Sequence, residues 1–130
     1  MKLGKLLTVI AVCAACSSFG IVHANEYMTA EQVKSLFTNK TFNIHNIAKD
    51  KHLQGYDTEE GKHLVFIPWK DKISKRKWWV EDNKHCTSHP KRGDSCKDMK
   101  DMGDGSYQGF TDGKHTHTLS NFREGKHFDM

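Results

Sequence analysis

The chain lacks the short motifs that would name a reaction. No nucleophile elbow, phosphate-binding glycine loop, His-Glu-x-x-His or haem-attachment Cys-x-x-Cys-His occurs in its 130 residues. No residue can therefore be nominated for catalysis, and an enzyme is not expected. After the N-terminal segment no apolar run is long enough to span a membrane. Linkers, low-complexity tracts and structural repeats are also missing, which excludes a multi-domain or solenoid organisation. Cysteine is scarce, at four residues, and two of them, Cys13 and Cys16, fall in that N-terminal segment.

That segment reads as a secretory leader. Lys2 and Lys5 give a basic start, Leu6 to Ala15 is apolar, and Val22-His23-Ala24 places small residues at the cleavage positions. Residues 1–24 are expected to be removed after Ala24, leaving 25–130 as one domain. Lipidation at Cys16 is disfavoured, because Cys13 stands where a Leu-like residue is wanted. Export implies a periplasmic or secreted protein in an oxidising compartment. The remaining Cys86 and Cys96 are then expected to form a disulfide around a loop holding Pro90, Gly93 and Asp94. For so short a loop the chain-entropy model gives roughly 3 kcal/mol.

Charge excludes less than it first suggests. The formal +4 of the whole chain, less Lys2 and Lys5, leaves +2. Nucleic acid is not an expected partner, since export separates the two. Histidine is abundant instead: His45, His52, His63, His85, His89, His115, His117 and His127 all lie beyond the leader. Their charge would rise steeply below about pH 6.5.

Thr29-Ala30-Glu31-Gln32 reads as a capping box opening a short amphipathic helix over about residues 30–38. From Thr41 the period changes to two. Phe42 and Ile44, then Leu64 to Ile67, Trp78 to Val80, Tyr107 to Phe110 and His115 to Phe122 are the candidate strands. Asp, Asn and Gly clusters separate them, and Gly61, Gly113 and Gly125 each follow an acidic residue as in tight turns. The fold expected is mainly β, a single small antiparallel barrel or half-barrel with one N-terminal helix.

In this order the features resemble a family of small exported bacterial proteins of unknown function. The similar points are Leu36-Phe37-x-x-Lys40-Thr41-Phe42, Lys77-Trp78-Trp79-Val80, the pair Cys86 and Cys96, Tyr107, Asp112-Gly113-Lys114 and Phe122-x-x-Gly125. Arg76 departs from the pattern, which has Gly there. The resemblance implies a small β-rich periplasmic fold and lends no reaction.

Two binding chemistries are legible. In the first, His115-x-His117 places two imidazoles on one face of a regular strand, and His63 and His127 follow similar turns. These four are the candidate ligands for Cu or Zn. Met99-x-x-Met102 offers soft thioethers, and Cys86, His89 and Cys96 would suit zinc if reduced. In the second, Trp69, Lys75, Arg76, Lys77 and Trp79 form a basic and aromatic hairpin that would dock on a protein partner or an anionic envelope surface. Alternation splits that patch, with Lys75, Lys77 and Trp79 on one face and Arg76 with Trp78 on the other. A ligand cavity lined by Tyr56, Phe66, Trp69 and Trp78 is a third idea, set against the expectation that so short a chain fills its own interior. The function expected is an exported small binding or accessory protein taking up Cu or Zn, with surface docking as the alternative.

Overall fold

The computed structural model describes residues 26–128; the leader read at 1–24 lies outside the described residues. The helix is α1, Ala30–Phe37, and it starts where the sequence places it. Thr29 accepts from the Gln32 backbone while the Gln32 side chain accepts from the Thr29 backbone, so both halves of the capping box form. Eight strands follow: β1 Lys40–Asn46, β2 Lys51–Asp57, β3 Lys62–Ile67, β4 Lys72–Glu81, β5 Lys84–His89, β6 Gly93–Asp101, β7 Tyr107–Thr111 and β8 Lys114–Glu124. Each pairs antiparallel with the next, and β8 returns to pair with β1, closing the barrel. No helix among the described residues is long and apolar enough to cross a membrane.

Turn chemistry sets the register. Asp82 and Asn83 both have positive φ between β4 and β5, as do Asp112 and Gly113 between β7 and β8. Paired positive-φ residues match the right-handed twist of the strands they join. Two bulges interrupt β8. One extra residue sits opposite Gly109/Phe110 of β7, and another opposite Thr41/Asn43 of β1. A bulge reverses which residues face inward beyond it.

One end of the barrel is plugged. α1 lies against β1, β4 and β5, and Val33 and Phe37 are completely buried there with Phe42, Trp78, Met99 and Leu119. Phe37 is the centre of the plug. Its ring meets Phe42 and Phe122 edge-on at 5.1 and 5.4 Å and stacks on His85 at 3.8 Å. The β4–β5 turn holds the helix from its other side, since Asn83 Oδ1 accepts from the Ala30 backbone at 2.7 Å.

Cys86 and Cys96 form a disulfide directly across β5 and β6. Trp79 is in register with Cys86 on the neighbouring β4. The bridge therefore faces outward, because its neighbours His85, Thr87, Ser95 and Lys97 all line the barrel interior.

Close packing at the floor makes one glycine indispensable. Gly55 is in register with Phe42 on β1, and a Cβ there would lie 2.8 Å from two carbons of the Phe42 ring and 3.1 Å from Ile44. Alanine normally stabilises a strand relative to glycine. Here Gly55→Ala is expected to destabilise the fold by about 1–3 kcal/mol, because Phe42 is fully buried and has nowhere to move. Urea unfolding checks the sign; an unchanged or raised midpoint would contradict the packing described.

Candidate functional site

Above its floor the barrel is not filled. β1, β2 and β3 send Ile44, Leu53, Val65 and Ile67 inward, while β4, β5 and β6 send Arg76, Thr87, His89, Ser95 and Lys97. Together with His117 of β8 they bound a cavity of about 570 Å³. Its floor is Phe42, His63, His85, Met99 and Leu119, and Lys49, Lys51, Trp69, Lys70 and Arg92 stand at its mouth. One wall is apolar; the other is polar and cationic.

Electrostatics separate this cavity from an ordinary gap in packing. Lys49, Lys51, Lys70, Arg76, Arg92 and Lys97 line it, and among the described residues no Asp or Glu does. The cations at the mouth are exposed to water, but those inside have few partners. Lys97 Nζ donates to Ser95 Oγ at 3.4 Å and Arg76 Nε to Ser74 Oγ at 3.1 Å, both neutral acceptors. Among the described residues, neither Lys97 nor Arg76 belongs to a salt bridge. Burial, followed by the charges of Arg76 and Arg92, pushes the Lys97 pKa down. Burial and Arg92 do the same to Arg76. Burial, then Lys97, brings His117 down to about 4, so its imidazole is neutral at physiological pH. Mutually repelling, half-desolvated cations are stabilised by an anion placed among them.

Beneath the cavity lies a buried charge. Asp57, at the end of β2, has no exposed surface. His63 of β3 donates from Nδ1 to one carboxylate oxygen, and His85 of β5 donates from Nε2 to the other at 2.8 Å. Burial alone would raise the Asp57 pKa. The attraction of His63 and hydrogen bonds from both imidazoles outweigh burial and hold it below the usual carboxylate value. Burial lowers the His85 pKa by more than Asp57 raises it. His85 is therefore a neutral ring donating from Nε2, with Nδ1 left as an acceptor. Carboxylates orient metal-bound and catalytic imidazoles in this manner; here both oriented rings line the cavity floor.

The structure does not gather the four histidines nominated from sequence. His117 lines the cavity and His63 its floor. His115 points the other way, because the β8 bulge between them breaks the alternation; its Nε2 pairs with Thr118 Oγ1 at 3.0 Å, and its ring meets Phe110. His127 stands beyond the plugged end, its ring donating to the Glu124 carbonyl. Met99 is fully buried while Met102 is exposed, so the two thioethers do not converge. Cys86 and Cys96 are engaged with each other. The basic hairpin divides as alternation requires. Lys75 and Lys77 are exposed and Trp79 donates to Glu81, whereas Arg76 enters the cavity and Trp69 flanks its mouth. Of the residues suggested for a cavity, Trp69 lines it; Trp78 belongs to the core below, and Tyr56 and Phe66 are not in its wall. The expectation of a filled interior is corrected, since the inward positions of β4 to β6 hold charged and hydroxyl side chains that do not pack into a core.

Lys97, Lys49 and Lys51 escaped the sequence reading. A usable signal existed for Lys97. An outward cross-strand disulfide forces the residue beside Cys96 inward.

Two of these groups make stability depend on pH. The folded pKa values of His85 and His117 lie below the 6.5 of a free imidazole, so the unfolded chain takes up protons first as pH falls. Their contribution is complete above pH 6.5 and is lost below it, for His117 down to about 4. Asp57, held low, adds a further loss only below the ordinary aspartate value of 3.8. Thermal midpoints should therefore fall between pH 6.5 and 4, and His117→Asn should flatten that fall. An equal slope in wild type and variant would show that His117 is not buried neutral. Neither a family model, nor a curated protein, nor a solved structure matches this chain, so its function has to be argued from the cavity.

Proposed function

We propose that this is an exported binding protein whose barrel takes up a small amphiphilic anion, one with an apolar body and a carboxylate, sulfonate or phosphate group. The observation that carries this reading is the division of the cavity. Ile44, Leu53, Val65 and Ile67 form one wall, and Arg76 and Lys97 stand on the other with no carboxylate beside them. The apolar body lies against β1 to β3 and the anionic group reaches Arg76, Lys97 and the neutral His117. Lys49, Lys51, Lys70 and Arg92 at the mouth raise the local concentration of anions and speed their entry. The volume of about 570 Å³ falls within the range of ordinary small-molecule sites. Export is supported by the leader-like residues 1–24 and by the disulfide, which suits a periplasmic or secreted protein.

The anionic dye 1-anilinonaphthalene-8-sulfonate tests this directly. It should bind the folded protein at one equivalent and be displaced by dodecanoate but not by dodecyltrimethylammonium. A charge-assisted hydrogen bond contributes about 1.5–3 kcal/mol, so Arg76→Leu and Lys97→Met should each weaken dodecanoate roughly tenfold or more. Without ligand, Lys97→Met should raise the thermal midpoint, because it removes a half-buried cation that repels Arg76 and Arg92. Equal affinity for the cationic and anionic amphiphiles, or indifference to both substitutions, would overturn the proposal.

A further inference from the structure

A second set of ligating groups sits on the outside of the barrel, at the turn joining β1 and β2. His45 and His52 are direct partners across the two strands. Their rings are parallel within 3° at a centroid distance of 4.3 Å. Asp50 lies two residues before His52, in a left-handed backbone conformation with φ of 50°. An aspartate tolerates that conformation, and it brings the carboxylate to 2.9 Å from His45 Nε2. The donor atoms of all three residues lie within 4.8 Å of one another.

We infer that His45, Asp50 and His52 form a binding site for a divalent transition-metal ion, with Zn(II) as the ion its donors suit best. Two imidazoles and one carboxylate, with a fourth position left to water, is a recurrent donor set for Zn(II). Metal–ligand bonds of about 2.0–2.2 Å require the donors to close in slightly. The side chains can do so, since that of Asp50 is 83% exposed and that of His45 is 34% exposed.

Two lysines stand near the site. Lys49 and Lys51 flank Asp50 in sequence, but both line the cavity mouth, and the Lys51 ammonium lies over the Trp69 ring at 4.8 Å. Beside the two histidines, the outer face forms a groove of about 370 Å³. Asn43, Gln54, Thr118, Ser120 and Phe66 line it, and none of these carries a charge. That groove leaves room for the water that completes the coordination.

The site is distinct from the cavity and does not depend on its ligand. Calorimetric titration of the oxidised, metal-free protein with ZnCl2 at pH 7.5 should show one equivalent of saturable binding. Both His52→Ala and His45→Ala should weaken it at least a hundredfold, and Asp50→Asn about tenfold. His117→Ala, inside the barrel, should leave zinc binding unchanged, and dodecanoate should still bind the three variants at His45, Asp50 and His52. Circular dichroism of the exposed-residue variants confirms that the barrel is intact. One-equivalent binding that survives His45→Ala/His52→Ala, or only weak multi-site uptake by the wild type, would overturn the assignment.

Discussion

The carboxylate of Asp57 is the constraint on which the lower half of the molecule rests. It is an ion without exposed surface, and such a group is tolerated only when its charge is met by donors. His63 and His85 supply them from two different strands. The same residue fixes the chain end on its other side, because the Asp57 carbonyl accepts from the Asn39 backbone as the chain leaves the helix for β1. Phe37 then closes over His85. Helix, floor and three strands are thus referred to one carboxylate. Deleting it would leave two imidazoles without acceptors beneath a hydrophobic plug, at a cost typical of broken buried networks.

What the sequence discloses and what it conceals divide along the same line as the cavity. The helix and its capping box are legible because capping is local chemistry. β1, β3, β4, β7 and β8 are legible because each holds a short apolar run or alternation: Phe42 with Ile44, Leu64 to Ile67, Trp78 to Val80, Tyr107 with Phe110, and Leu119 with Phe122. β2, β5 and β6 do not read as strands at all. Their sequences, Lys51–Asp57, Lys84–His89 and Gly93–Asp101, are mostly polar, with apolar residues such as Leu53 and Met99 standing singly. β5 and β6 face inward with His85, Thr87, His89, Ser95 and Lys97, the residues proposed to meet a ligand. A hydrophobic pattern marks a strand that packs against a core, and here half of the barrel faces a cavity instead. The bulges of β8 are equally silent. Nothing in His-Thr-His-Thr-Leu announces an extra residue, yet that residue sends His115 and His117 to opposite faces.

Stability and function draw on the molecule unequally. The plugged end concentrates aromatic packing: Phe37, Phe42, Trp78 and Phe122 meet there, with Met99 and Leu119. The open end carries hydrated or half-desolvated cations and few apolar contacts. The floor therefore supplies the stability against which the upper half holds mutually repelling charges. Arg76 and Lys97 gain nothing from each other and are placed where no acidic side chain relieves them. Residues that strain a fold in this manner are those most expected to serve a ligand.

The pairing of β1 with β8 has a consequence for the order of assembly. Lys40 meets Glu124 and Asn46 meets His117, so the first strand waits for the eighth. Until it arrives, the remaining strands form an open sheet with two unpaired edges, a state prone to pairing with other chains. Contacts so distant in sequence also close slowly. The disulfide does not wait in the same way. Cys86 and Cys96 lie on adjacent strands of one hairpin, so oxidation can staple the middle of the sheet while its edges are still free. The bond secures the growing sheet; the seam between β1 and β8 is closed by hydrogen bonding, packing and the Lys40–Glu124 ion pair, all of them non-covalent.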